Sequence, residues 1–190
     1  MSLRHEATRR RIIEVAWRQV RRRGLASLSL RELSGELGMR APSLYTYFAS
    51  KSEIYDSMFE EGWLTCIERL GRLAPTDDVG HSLRIMAEGF ISFACDDPTR
   101  YQLMCQRVVP GFVPTGDAYA VSVRFMTQTV EYFAQMGITD QRDVDLWIAM
   151  ITGLIDQQMS NDPGGDRWLR LVDDAAEMYL AHTQRGAHAQ

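Results

Sequence analysis

The segment that decides the fold spans residues 28–51 and reads LSLRELSGELGMRAPSLYTYFASK. A capping box opens each end of it, Ser29 with Glu32 and Ser50 with Glu53. In such a box the hydroxyl accepts one unpaired amide and the carboxylate accepts another, so each pair marks the start of a helix. We therefore expect one helix to begin after Ser29 and another to begin after Ser50.

The interior of the segment predicts a tight turn between two short helices. Gly38 tolerates a positive φ, which a sharp turn requires, and Pro42 suits the first turn of a helix because its missing N–H is not needed there. Apolar residues at helical spacing predict the buried side of the pair: Leu30, Leu33, Leu37, Leu44 and Phe48. Helix, turn, helix and the start of a third helix form the layout of a helix-turn-helix DNA-binding unit.

The charge of the chain is distributed unevenly. Residues 1–55 hold eleven Arg or Lys against five Glu, whereas the remainder holds ten basic and twenty acidic residues, within a net charge of −4. A basic head on an acidic body concentrates the attraction for phosphates at one end of the molecule. Each arginine at positions 9–11 and 21–23 is as well explained by a solvated helix face as by a phosphate contact.

The N-terminal quarter resembles the DNA-binding domain of the TetR family of bacterial transcriptional regulators. The residues that carry the resemblance are Ile12, Ile13, Ala16, Gly24, Leu30-Arg31-Glu32-Leu33, Leu37-Gly38-Met39, Ser43-Leu44-Tyr45, Tyr47-Phe48 and Lys51. A motif of this length is specific, unlike a short isolated signature. The middle loop Pro110-Gly111-Phe112, and Trp147 with Gly153, also resemble one subtype of the family's ligand domain, which has His where this chain has Thr152.

This resemblance implies a set of DNA-contacting residues. Ser43, Tyr45, Tyr47 and Lys51 match positions that hold the phosphate backbone, and phosphate contacts set register without reading sequence. Arg40, Ala41 and Thr46 match base-facing positions, with Arg31 as a further candidate from the preceding helix. Ser29 completes the set.

The rest of the chain reads as all-α. Helical periodicity predicts helices at about 4–23, 51–73, 79–94, 99–107, 117–135, 140–160 and 166–183. We expect a three-helix DNA-binding domain over residues 1–50 and a larger helical ligand-binding and dimerisation domain over residues 51–190. The helix that follows Ser50 is a natural lever between the two domains.

The second-last helix is apolar on nearly every side, so it must bury more than one face. In the TetR family the last two helices pair with their copies in a second subunit, which implies a homodimer here. The candidate interface residues are Trp147, Ile148, Ile151, Ile155, Leu169 and Val172. The alternative is a central helix that is wholly buried within one subunit.

The family also implies a small-molecule pocket between the helices of the second domain. Methionine adapts to varied shapes, and the chain has ten of them. The candidate lining residues are Trp63, Met86, Phe90, Met104, Met126 and Trp147, with Arg100 or Asp156 as a polar anchor. Their types predict an apolar or aromatic effector, although each residue taken singly is more often part of a core.

The sequence points away from catalysis and from cofactors. The three cysteines form no CxxC pattern, the histidines lack metal-ligand spacing, and no Ser-His-Asp constellation or phosphate loop is present. We expect no metal, no cofactor, no enzymatic activity and no membrane partner, because the longest apolar-rich run is too short to cross a bilayer. A reduced cytoplasm is the simplest compartment.

These observations predict a ligand-responsive repressor that binds a pseudo-palindromic operator as a homodimer. One alternative keeps the DNA-binding head in a ligand-independent regulator or an activator. Another class of function, a helical small-molecule enzyme with a basic docking head, lacks a visible catalytic constellation.

Overall fold

The structure, a computed structural model, describes residues 3–187 and the side chains of residues 3–184. That range contains helices and turns but no strand, which confirms the all-α prediction. The elements in chain order are α1 (Leu3–Arg23), a 3-10 turn (Leu25–Ser27), α2 (Leu30–Glu36), α3 (Ala41–Leu44), α4 (Lys51–Leu70), α5 (Val79–Asp96), α6 (Pro98–Cys105), α7 (Gly116–Gln135), α8 (Gln141–Asn161), a second 3-10 turn (Leu169–Leu171) and α9 (Val172–Ala187).

The last helix begins later than the sequence predicts, at Val172 rather than near residue 166. Two side-chain acceptors hold the preceding residues in a turn. The Asp162 carboxylate accepts the amide of Arg167 at 2.9 Å, and the Gln158 side-chain oxygen accepts the amide of Trp168 at 2.9 Å. These bonds compete with helix formation because they satisfy the backbone in a non-helical geometry.

The chain divides into two compact units that each draw on separate segments. The first unit holds the residues up to Leu64 together with Thr99–Ser122, and the second holds Thr65–Pro98 together with the residues from Val123 onward. Helices α4 and α7 therefore contribute to both units.

The core of the first unit gathers α1 to α4 with part of α6 and the loop after it. Its fully buried members include Ile12, Trp17, Leu33, Leu44, Phe48, Ile54, Met58 and Leu103, and Val109 and Phe112 pack against them. The apolar side of α1 and the predicted inward positions of α2 and α3 therefore meet in one core.

In the second unit, α5 packs against α8 and α9. Its deeply buried side chains include Leu83, Phe133, Val144, Ile155, Ala176 and Tyr179. The Tyr132 hydroxyl donates to the Ser82 carbonyl at 3.0 Å and so ties α7 to α5. Over residues 3–187, no helix combines the length and apolar character that a membrane span needs.

Candidate nucleic-acid interface

Helix α3, the predicted recognition helix, is a single turn from Ala41 to Leu44. Gly38, with a φ of 65°, makes the sharp turn before it, and Pro42 lies in its first turn. Arg40 occupies the N-cap without a capping hydrogen bond from its side chain. Leu44 and Phe48 are 1% and 2% exposed, so the inner side of the element is fixed by the core.

The outer side of this element presents polar and aromatic groups to solvent. The exposed members of the predicted set are Arg31, Arg40, Ala41, Ser43, Tyr45 and Thr46, and the half-buried ones are Ser29, Tyr47 and Lys51. Tyr45 is 55% exposed despite its large ring. This exposure leaves the set available to a duplex, and the contacts themselves stay a prediction.

Lys51 and Tyr55 both bond to the 3-10 turn that precedes α2. The Lys51 ammonium donates to the Ala26 carbonyl at 3.4 Å and lies 5.6 Å from the centre of the Tyr55 ring. The Tyr55 hydroxyl donates to the Leu25 carbonyl, and burial raises its pKa to about 12. The predicted phosphate-binding ammonium is thus held at a defined place at the start of α4.

The first capping box is only half formed, because a buried glutamine takes over its second bond. The Ser29 hydroxyl accepts the Glu32 amide at 3.4 Å, as predicted. The Ser29 amide, however, donates to the Gln19 side-chain oxygen at 3.2 Å, and Gln19 donates to the Glu32 carboxylate at 2.7 Å. Gln19 is 1% exposed, and it was missed because α1 periodicity does not reveal which buried position is polar.

Ion pairs neutralise much of the arginine charge on α1. Three of them are Arg9 to Glu53 at 3.1 Å, Arg22 to Glu36 at 2.9 Å and Arg23 to Glu32 at 2.6 Å. Hydrogen bonds from Arg23 and Gln19 hold the pKa of the Glu32 carboxyl below its ordinary value. Arg10, Arg11, Arg31 and Arg40 are exposed and form no ion pair with any side chain of residues 3–184. These four arginines therefore carry uncompensated positive charge.

Helix α6 and its following loop pack onto the same unit. A Cβ added at Gly62 would lie 2.7 Å from the Met104 sulfur, so glycine permits the close approach of α4 and α6. The Asp56 carboxylate accepts the Thr115 amide at 2.8 Å. This loop contains the predicted Pro110-Gly111-Phe112 motif, whose phenylalanine joins the core of the head.

Arg100, a predicted ligand anchor, takes part in a cluster of side chains within the first unit. Its guanidinium lies 3.6 Å from the Glu61 carboxylate and 5.3 Å from the centre of the Trp17 ring. The Trp17 indole N–H donates to the same carboxylate. Arg100 thus links α6 to α1 and α4, and the Glu61 carboxylate is its counter-ion.

The predicted ligand residues fall in both units. Trp63 and Met104 are buried in the first unit, whereas Trp147 is buried in the second, where its ring centre lies 5.1 Å from that of Tyr179. The remaining three, Met86, Phe90 and Met126, are half-buried in the second unit. The structure therefore does not gather all six within one unit.

Two hollows lie within the second unit. A small one of about 250 Å³ is lined by residues that include Ile67, Leu70, Met86, Phe125, Gln128 and Tyr132. A larger one of about 780 Å³ is lined by residues that include Met136, Ile138, Asp143, Leu146, Leu180 and His182. Of the six predicted residues, only Met86 lines either hollow. Phe90 stacks on Phe125 of the small one at 6.1 Å.

Most of the predicted dimer residues are core residues of their own chain, which corrects their assignment to a dimer interface. The buried four are Trp147 (3% exposed), Ile151 (4%), Ile155 (0%) and Val172 (5%). Trp147, Ile151 and Ile155 lie on α8, which packs against α5 and α9 of the same chain, and Val172 is the first residue of α9. Ile148 and Leu169 are half-buried and stay candidates.

A different side of α8 carries an apolar surface. At helical spacing it presents Leu146, Ala149, Met150, Gly153 and Leu154, which we call the α8 stripe. Leu146 is 38% exposed, and a Cβ added at Gly153 would meet nothing within 4 Å. Met178 on α9 is 67% exposed. Among the side chains of residues 3–184, no three metal-ligating groups cluster.

Comparison with known proteins places these features in a family. Residues 12–58, which contain the helix-turn-helix unit, match the family model of the bacterial regulatory proteins, tetR family. Solved structures with a similar fold include the regulatory protein SCO4313 (TM-score 0.77, 20% identity, 93% of this chain and 97% of that chain covered). A tetR-family transcriptional regulator from Streptomyces coelicolor gives a TM-score of 0.76 at 17% identity, covering 100% and 85%.

A third similar structure is a TetR variant from Acinetobacter baumannii AYE in complex with minocycline, with a TM-score of 0.60, 19% identity, and 92% and 94% covered. At these identities the structural likeness shows the shared fold, and the family model adds the identity of the N-terminal domain. Residues 12–58 therefore match the tetR family of bacterial regulatory proteins, and the chain as a whole shares the fold of these solved structures.

Proposed function

We propose that the protein is a homodimeric, effector-responsive transcriptional repressor that acts on DNA in the cytoplasm. Residues 1–50 form the DNA-binding domain, and residues 51–190 form the effector-binding and dimerisation domain. The observation that carries the proposal is the exposed outer side of α3, which lies in a head with four uncompensated arginines, Arg10, Arg11, Arg31 and Arg40. Such a surface attracts phosphates and offers side chains to base edges.

Direct readout falls to Arg40, Ala41 and Thr46. The Arg40 side chain is not used to cap α3, so its guanidinium is available to fork onto guanine O6 and N7. Ser43, Tyr45, Tyr47 and Lys51 hold the phosphate backbone and fix the register of the head.

Dimerisation uses the α8 stripe against its copy in a second chain. Small residues at Ala149 and Gly153 let two helices approach closely, and Leu146, Met150 and Leu154 supply apolar area around them. Two heads related by a two-fold axis bind half-sites one helical turn apart, about 34–36 Å, so the operator is a pseudo-palindrome.

The effector is a small apolar or aromatic molecule that binds the hollow beside Met86. Apolar walls from Leu70, Met86 and Phe125 favour such a ligand, and the exposed Gln128 lines the same hollow. The Acinetobacter relative was solved in complex with minocycline, which supports a small-molecule effector. Bound effector lowers operator affinity by its differential affinity for the two states of the dimer.

Helix α6 is well connected to transmit such a change. It contacts α4 through Met104 at Gly62, and it contacts α1 through Arg100 at Trp17. A shift of α6 therefore acts directly on two helices that support α3.

The test uses duplexes from the region flanking the gene, with binding followed by fluorescence anisotropy. We expect specific binding that falls when an apolar or aromatic compound is added, together with a thermal shift produced by that compound. Gln128→Trp, which fills the hollow, removes the shift, whereas the neighbouring exposed Thr127→Trp retains it. Specific binding that no compound in a broad screen alters favours the ligand-independent regulator, and turnover of a bound compound favours an enzyme.

A further inference from the structure

Helix α3 alone cannot hold the turn between α3 and α4 in a fixed conformation. One helical turn is too short to be stable by itself, because nucleation costs more than a few hydrogen bonds return. The last carbonyls of such a helix also lack partners within it. The orientation of Tyr45 and Tyr47 must therefore be fixed by groups outside α3.

Arg9 of α1 supplies one of these groups. Its guanidinium donates to the Tyr47 carbonyl, pairs with the Glu53 carboxylate at 3.1 Å and lies 4.0 Å from the centre of the Phe48 ring. It also reaches the Ser57 hydroxyl at 3.5 Å. The Arg9 side chain is 25% exposed, far less than the side chains of Arg22 and Arg23 at 59% and 61%.

Glu53 of α4 supplies the other group. Its carboxylate accepts the Ala49 amide at 2.6 Å, while its own amide donates to the Ser50 hydroxyl at 3.1 Å. One arginine and one glutamate, bonded to each other, thus hold the Tyr47 carbonyl and the Ala49 amide on either side of Phe48. No other arginine of residues 3–184 bridges α1 to this turn.

We propose that Arg9 and Glu53 form a clamp that positions the recognition element for DNA, with Arg9 acting through Tyr47 rather than on a phosphate. The proposal rests on the DNA-binding function proposed above and names two positioning residues for it. A guanidinium is needed because its two terminal nitrogens donate to Tyr47, Glu53 and Ser57 while its face stacks on Phe48. The adjacent Arg10, which is exposed and has no ion pair, has the contrasting role of a phosphate contact.

The salt dependence of operator binding separates these two roles. Each phosphate contact contributes about 0.9 to the slope of log affinity against log salt concentration. Arg9→Gln should weaken binding about tenfold while leaving that slope as in the wild type, because a misplaced α3 loses hydrogen bonds. Arg10→Gln should reduce the slope by about 0.9. Arg9→Lys, which keeps the charge but not the fork, should recover only part of the lost affinity.

Two results would overturn the clamp. The first is wild-type operator affinity in Arg9→Gln. The second is a salt slope that falls in Arg9→Gln as it does in Arg10→Gln, together with full recovery of affinity in Arg9→Lys. Amide exchange at Ala49 provides a readout that needs no DNA. It should accelerate in Arg9→Gln and stay unchanged in Arg10→Gln. If the wild-type chain binds no duplex, the proposed function fails while this exchange still decides the clamp. If Arg9→Gln does not fold, Arg9→Lys carries both comparisons.

Discussion

The ring of Phe112 packs against the ring of Tyr55, with their centres 5.3 Å apart and their planes inclined at 46°. Tyr55 belongs to α4, and its hydroxyl holds the 3-10 turn before α2. Phe112 belongs to the loop between α6 and α7 and joins the core of the first unit from outside the first 50 residues. The head of the protein is thus completed by a loop that lies more than 50 residues further along the chain.

The first prediction concerns this loop. Phe112→Ala should lower the free energy of unfolding by about 2 kcal/mol, less than a fully buried phenylalanine costs, because Phe112 is half-buried. Urea unfolding measures the change. The neighbouring Val113, which is 74% exposed, provides the control Val113→Ala, with a loss below about 0.5 kcal/mol. Equal losses in the two variants would refute the role of Phe112 in the core.

The second prediction concerns pH. Burial raises the pKa of Tyr55 to about 12 in the folded state, above the ordinary value of 10.0. The folded protein therefore holds this proton more tightly than the unfolded chain. The resulting stability is fully present below pH 10 and is lost as pH rises from 10 toward 12. Thermal melting across this range should show a steeper alkaline decline in the wild type than in Tyr55→Phe.

The same substitution tests the hydrogen bond at neutral pH. Tyr55→Phe leaves the Leu25 carbonyl without its hydroxyl donor, and the loss should be about 1 kcal/mol. Absorbance of tyrosinate at alkaline pH follows the hydroxyl directly, with Tyr119→Phe as an exposed control. A Tyr55 that titrates at its ordinary value, or an alkaline decline unchanged in Tyr55→Phe, would contradict the buried hydrogen bond.

Local patterns predicted the elements of the head well. Ser29, Gly38 and Pro42 specify helix starts and a turn through interactions with nearby backbone, so a single sequence is enough to find them. The burial of Leu44 and Phe48 could be predicted from helical spacing, because a one-turn helix beside a core has only one inward side.

Contacts between distant segments were not predictable in this way. Gln19 displaces half of the first capping box, although only folding brings it near Ser29. Ile151 lies on a helix that also carries apolar residues outside the core, such as Leu146 and Met150, so periodicity could not tell the core from the surface. Arg9 and Arg10 are adjacent arginines, and nothing in the sequence distinguishes their roles. Only the folded chain places Glu53 of α4 beside Arg9 as its counter-ion.

The third prediction concerns DNA reading. Arg40→Ala should relax the preference for one base pair in each half-site, at a cost of about 1–3 kcal/mol at that position. Tyr45→Ala should instead weaken binding to all duplexes, because it removes a backbone contact without a sequence code. Selection of duplexes from a random library measures the preference, and fluorescence anisotropy with the preferred duplex measures the overall affinity. An unchanged preferred motif in Arg40→Ala would remove this residue from the base-reading set.

The last prediction concerns assembly through the α8 stripe. Gly153→Glu should abolish the dimer, because a carboxylate buried without a partner in an apolar interface costs several kcal/mol. The single chain should tolerate the change, since a Cβ at this position meets nothing within 4 Å and glutamate favours a helix over glycine by about 0.5–1 kcal/mol. Operator binding should weaken together with dimerisation, because one head has half the contacts.

Sedimentation velocity at micromolar concentration and circular dichroism distinguish loss of assembly from loss of folding. Ile151→Glu should unfold the second unit, because Ile151 is 4% exposed within its own chain. Gly35→Glu is the control, because it makes the same substitution at an exposed position of α2 where a Cβ also meets nothing within 4 Å. This variant should remain dimeric. A folded, monomeric Gly153→Glu variant that binds DNA weakly would support the α8 stripe as the interface. A wild-type monomer, or a Gly153→Glu variant that remains dimeric, would exclude it.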